Sequence, residues 1–193
     1  RFTMHLKKTE QTHLWFGFPG VSLRDENRFV LRVLGAILGG GMSSRLFMSV
    51  RERRGLAYYV RCNSEFYTDT GFIAASAGVG PDKFEEASTT ILSEFKKIKD
   101  EVVKAPELEK AKEYIKGKLL LNLEGSDELA EFYGLQSVLQ SELLSPEDIG
   151  HKIDAVTSAD VQRVAQRYLD DSKLKAAIIS AKDYSEWLNK ELT

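Results

Sequence analysis

The stretch Phe47-Met-Ser-Val-Arg51-Glu-Arg-Arg-Gly55-Leu-Ala-Tyr58 sets a guanidinium and a phenol seven residues apart, with a glycine between them. Both groups donate hydrogen bonds. If the chain reverses at Gly55, Arg51 closing a helix and Tyr58 opening a strand converge on one spot, and two converging donors suit a carbonyl oxygen that gains negative charge. The residue types also support a plainer reading. Strict alternation groups Tyr58 with Val60, Cys62, Ser64 and Phe66 on an apolar strand face, which makes it a core tyrosine and leaves Arg51 a surface cation. On the residues alone this plainer reading is the favoured one.

Other chemistries are argued against by spacing. His5, His13 and His151 are followed by Leu-Lys-Lys-Thr, Leu-Trp-Phe-Gly and Lys-Ile-Asp-Ala, which match neither H-E-x-x-H nor H-x-x-E-H, so no zinc site and no metal ligand is expected here. His5 reads as a residue of a frayed end, His13 as strand surface or core edge and His151 as helix surface. Gly39-Gly40-Gly41-Met42-Ser43-Ser44 has the glycines of a phosphate loop but lacks its Lys and follows a helix rather than a strand. It reads as a left-handed helix cap with a tight turn. No G-x-S-x-G nucleophile elbow is present.

Stepping to the elements that must carry these residues, Gln11 to Phe18 alternates as a strand and ends at Pro19-Gly20. Asp25 to Leu38 has helical spacing, and a second helix is expected over Met42 to Arg53, before Gly55. Ala57 to Tyr67 and Phe72 to Val79 read as an antiparallel pair, the second apolar on both faces and therefore central. Helices are expected from Gly80-Pro81-Asp82, from Pro106, over Ser126 to Leu144, and after capping boxes at Ser145 and Thr157. Leu174 to Ser180 fits a last strand and Asp183 to Glu191 a terminal helix. This order predicts an α+β fold, one mixed, largely antiparallel sheet with helices packed on one face.

The chain has 193 residues, 27 Lys plus Arg against 29 Asp plus Glu, a net charge of −2 and no block of like charges, which argues against nucleic acid as a partner. A hydrophobic share of 42% with 10% aromatic residues is that of one packed domain over residues 1–193. The single Cys62 offers no disulfide within the chain. The longest apolar run, Val33 to Met42, is too short for a membrane span and is broken by four glycines. Because the chain opens at Arg1, it reads as a fragment of a longer two-domain chain.

Several separated motifs point to a family. Gly39-Gly-Gly-Met-Ser-Ser-Arg-Leu-Phe47, Val50-Arg51-Glu52, Gly55-Leu56-Ala57-Tyr58, Gly17-Phe18-Pro19-Gly20, Asp69-Thr-Gly71 and Asp154-Ala-Val-Thr-Ser-Ala-Asp-Val161 resemble, in order, the C-terminal domain of pitrilysin/insulinase-family zinc peptidases, nearest to bacterial relatives of mitochondrial processing peptidase. The resemblance implies two homologous halves around a chamber, with zinc and the general base in the N-terminal half. It implies that this half is a metallopeptidase half-domain that binds no cofactor itself and is inactive alone. Arg51 and Tyr58 then hold the places of a substrate-binding pair, Phe47 a place lining the same pocket, and Gly40 and Gly41 a loop that contacts substrate.

The function so implied is the substrate-binding half of a zinc metalloendopeptidase acting on peptides or unfolded segments. A non-catalytic organising subunit sharing the fold is the alternative, and a free-standing peptide-binding domain a third. The partners expected are a peptide substrate and a homologous zinc-bearing half, fused or separate, with a dimer left open and no membrane span. The cytoplasm is the expected compartment, with the periplasm the alternative.

Overall fold

The computed structural model describes residues 1–140 and 142–192. Five strands form one sheet: β1 (Phe2–Leu6), β2 (Thr12–Pro19), β3 (Ala57–Phe66), β4 (Gly71–Val79) and β5 (Lys175–Ser180), in the order β1-β5-β2-β4-β3. β1 runs parallel to β5 and every other pairing is antiparallel, so the sheet is mixed and mainly antiparallel. The pleat sends Leu14, Phe16 and Phe18 of β2 to one face together with Ile73, Ala75 and Ala77 of β4. Helices close over that face. α1 (Asn27–Gly39) buries Phe29, Val30, Val33, Leu34, Ile37 and Leu38, and α2 (Phe84–Asp100) sets Phe95 edge-on against Phe18 at 5.2 Å between ring centroids. The opposite face keeps His13, Arg61, Lys175 and Ile179 in solvent, which makes the fold α+β with a one-sided helical layer.

Further along the chain come α3 (Ala105–Leu121), α4 (Ser126–Leu139), α5 (Pro146–Asp154), α6 (Ser158–Tyr168) and α7 (Ser185–Glu191). Ser145 and Thr157 cap α5 and α6 through reciprocal bonds with Asp148 and Asp160, so both expected capping boxes form. β1 is a strand where sequence reasoning expected a frayed end. Its five residues gain their ladder from β5, some 170 residues away, and His5 stands opposite Ile179. The helix expected over Ser126–Leu144 stops at Leu139. Buried Gln136 takes over as a substitute backbone, its amide oxygen accepting from Leu144 N–H at 2.9 Å and its amide donating to Leu144 C=O at 3.1 Å. Within that expected span, Ser141 lies outside the described residues.

The glycines after α1 also differ from expectation. Gly40 has φ −77° and the described residues include one glycine with positive φ, Gly55, so no left-handed cap closes α1. Space is what these glycines supply. A Cβ on Gly39 would stand 2.0 Å from the backbone nitrogen of Cys62, and one on Gly40 2.7 Å from Ala36 Cα and 2.9 Å from the Tyr114 ring. The end of α1 therefore lies directly against the β3 backbone.

Candidate functional site

The expected helix over Met42–Arg53 is shorter and wider than a regular one. Residues 45–46 are α-helical and Phe47–Glu52 form a π-helical turn, in which Arg53 N–H donates to the carbonyl of Met48 five residues back at 3.1 Å. Leu46 and Val50 are fully buried and fix the inner side of the turn. Arg45 anchors its start, donating from Nε and Nη2 to both carboxylate oxygens of Glu107 on α3 at 2.7 and 2.9 Å, and this paired carboxylate raises the Arg45 pKa. Ser44 Oγ donates to Gly41 C=O at 2.6 Å and Ser49 Oγ to Arg45 C=O at 2.7 Å. With its core side held in this way, the turn presents Phe47 and Arg51 outward, the Arg51 guanidinium lying 5.3 Å from the centre of the Phe47 ring.

The reversal after the turn follows the sequence reading. Gly55, at φ +58°, adopts a left-handed conformation that costs a side-chain-bearing residue strain, and its N–H donates to Arg51 C=O while Leu56 N–H donates to Val50 C=O, each at 2.9 Å. β3 therefore starts beside the end of the turn. Tyr58 is then not a core residue. Ala57 pairs with Val79 and Tyr59 with Gly78, so β3 holds one residue more than β4 at this point, a β-bulge. Ala57 and Val60 both face the core, and the two tyrosines between them both leave it. The apolar-face grouping of Tyr58 with Val60, Cys62, Ser64 and Phe66 fails because the bulge breaks the period of two, while the last four keep theirs.

The neighbouring tyrosines differ in what they touch. Tyr59 lies flat over Gly78, its hydroxyl 3.1 Å from His13 Nδ1 and the Arg61 guanidinium 5.3 Å from its ring centre. Tyr58 is 61% exposed and its hydroxyl makes no hydrogen bond with any described residue. The structure thus stacks Phe47 with Arg51 and leaves a free phenol at the head of the adjoining strand, while no direct bond joins Arg51 to Tyr58.

Gly41 lines a cavity of about 620 Å³ with Ala36, Ile37, Met42 and Tyr114, and Glu107 and Lys110 stand in its wall. Tyr114 and Glu107 escaped sequence reasoning because α3 lies some 60 residues from the motif and neither carries a local signal. Among the described residues no three His, Cys, Asp or Glu side chains converge to hold a metal ion. No described helix is long and apolar enough to cross a membrane.

Residues 1–115 match the family model described as the peptidase M16 inactive domain. The chain is similar to an uncharacterized zinc protease of Bacillus subtilis, 34% identical over 172 residues that cover 89% of this chain and 42% of that protein. It is also similar to an uncharacterized zinc protease of Streptomyces coelicolor, 35% identical over 163 residues covering 84% of this chain and 36% of that one. The fold matches the crystal structure of a peptidase M16 inactive domain from Pseudomonas fluorescens with a TM-score of 0.84 at 20% identity, over 94% of this chain and 44% of that chain. The chain thus spans about two fifths of the length of these curated relatives.

Proposed function

The chain belongs to the peptidase M16 family, the pitrilysin/insulinase family of the motifs, as its inactive domain, and from that premise we propose that it is the substrate-holding half of a zinc metalloendopeptidase. A homologous half carrying the metal and the general base completes the enzyme, and the two enclose an unfolded peptide between them. The observation that carries this reading is the bulge that removes Tyr58 from the core and leaves its O–H without a partner beside the Arg51 turn. Bulges re-aim side chains next to active sites, and a tyrosine with a purely structural role would be packed or bonded as Tyr59 is.

In this assignment Tyr58 donates its O–H to the scissile carbonyl, a bond that strengthens as the oxygen becomes an oxyanion. Arg51 binds a carbonyl or carboxylate on the C-terminal side of the substrate. Its guanidinium is oriented by the Phe47 ring, which leaves the in-plane N–H donors free, and Phe47 lines the same pocket. Gly41, having no side chain, lets an extended peptide approach the backbone at the mouth of the apolar cavity, while Gly40 supports the loop by packing against Ala36 and the Tyr114 ring. The test is hydrolysis of an unstructured fluorogenic peptide by the complete enzyme and by each half alone. Cleavage is expected only with both halves present, and full-rate cleavage by the zinc-bearing half alone contradicts the proposal.

A further inference from the structure

The described residues leave most of α4 uncovered. Gln136 is the one buried residue of its fourteen, and Phe132, one turn before it, is packed only in part, so the inward side of the helix holds little. The outward side is apolar as well. Leu135 is 53% exposed and Val138 80%, and with exposed Glu128 and Glu131 they follow at intervals of three, four and three residues along one stripe of the helix. Leu144, which Gln136 holds through its backbone, is followed by Ser145 and Pro146, and these line a cavity of about 540 Å³ with Leu119 and exposed Leu120. Apolar residues on both the inner and the outer side of a helix ask for cover on both, and an exposed apolar patch rimmed by polar groups marks a surface that a partner covers.

Charge decides the kind of partner. Between Lys118 and Lys152 the chain has seven Asp and Glu and no Lys or Arg, while elsewhere its 27 Lys and Arg outnumber 22 acids. Asp127, Glu128 and Glu131 form no ion pair with a described residue, so the negative field at the start of α4 is not cancelled within this part of the chain. We propose that the α4 face docks a basic amphipathic helix of a partner protein, whose apolar side covers Leu135 and Val138 while its Lys and Arg reach Glu128 and Glu131. A second copy of this chain is a poorer occupant, because a self-complementary contact sets the same acidic surface against itself, and an anionic lipid surface is repelled for the same reason. Leu119 and Leu120 stand at the far end of α3, about 20 Å of helix from the Glu107 that anchors the Arg51 turn, so this docking goes beyond the peptide-holding role.

The test is isothermal titration of the native-length protein with three synthetic peptides of equal length: an amphipathic helix of Leu and Lys, the same composition scrambled so that no apolar face forms, and the Leu and Glu counterpart of the first. Saturable binding of the amphipathic Lys peptide is expected, at least tenfold tighter than the scrambled one and weakening as salt rises, with no binding of the Glu peptide. Leu135→Ala with Val138→Ala weakens it by about tenfold or more, since both side chains lose the apolar area the partner covers. Glu128→Gln with Glu131→Lys weakens it several-fold and flattens its salt dependence. All four side chains are exposed, so both double variants keep the fold, which thermal melting checks. Absence of saturable heat, a scrambled peptide that binds as tightly, or unchanged affinity in either folded double variant overturns the proposal. So does sedimentation of the protein alone as a dimer that Leu135→Ala with Val138→Ala dissociates, which assigns the face to a second copy. None of these readouts depends on peptide hydrolysis.

Discussion

Gly39→Ala is the substitution for which the packing gives the sharpest expectation. In an exposed helix this change stabilises by about 0.4–1 kcal/mol, because Ala is the better helix former and restricts the unfolded chain. At Gly39 the new Cβ stands 2.0 Å from Cys62 N, 2.7 Å from Arg61 C and 2.7 Å from Cys62 Cβ, where ordinary contact needs about 3.4 Å or more. Two of the three atoms are backbone of β3, so no rotamer change relieves the clash, and the end of α1 must move outward by roughly an ångström. Overpacking of a core costs about 1–3 kcal/mol and here also loosens the packing of Leu38, which sets the expected loss at about 2–3 kcal/mol. Gly117→Ala on α3 is the matched control, since its Cβ meets nothing within 4 Å and gains about 0.5–1 kcal/mol. Urea titration of both variants gives the answer through opposite shifts of midpoint at unchanged slope. A Gly39→Ala protein as stable as the wild type refutes the close-approach account of these glycines.

Four further outcomes are expected. Thr157→Ala removes the α6 cap and costs about 1 kcal/mol in the same titration, with no change in peptide hydrolysis. Asp148 and Asp160 have pKa values lowered chiefly by their bonds from Ser145 and Thr157, so their stabilising contribution is present above the unfolded carboxylate range and is lost as pH falls below about 4 toward their folded values. Thermal melting from pH 7 to pH 2 shows this as a fall that is smaller in an Asp148→Asn, Asp160→Asn double variant. Burial pushes the Cys62 thiol up, so a thiol reagent at pH 8 leaves the folded protein unmodified and reacts fully in urea. Phe47→Ala frees the Arg51 guanidinium from a contact worth about 0.5–1 kcal/mol, and steady-state kinetics of the complete enzyme are expected to show a two- to fivefold rise in KM with kcat little changed.

The amphipathic stripes of α1 and α2, the paired capping boxes and the Gly55 reversal were legible in the sequence because each is encoded locally, within a few residues. The edge strand β1 was not, because five residues acquire strand character only from a distant partner. Tyr58 shows the same limit in the site itself. Period-two reasoning is sound for Val60, Cys62 and Ser64, but a single extra residue against β4 reverses it, and nothing in Ala57-Tyr58-Tyr59 announces a bulge. The spacing of Arg51 and Tyr58 suggested a pair that alternation argued against, and the bulge removes that objection by taking Tyr58 off the apolar face. The π-helical turn is equally silent in sequence, since its widening depends on how Arg45 and Glu107 hold one end and buried Val50 and Leu56 the other.

The measurement that reaches the central claim most directly is kcat for Tyr58→Phe in the complete enzyme, which deletes one oxygen from an exposed residue and leaves the fold intact. If the Tyr58 hydroxyl stabilises the developing oxyanion, kcat falls by about 10²- to 10³-fold with KM nearly unchanged, as expected for the loss of one such donor. Turnover within twofold of the wild type contradicts the claim and returns this domain to an organising role.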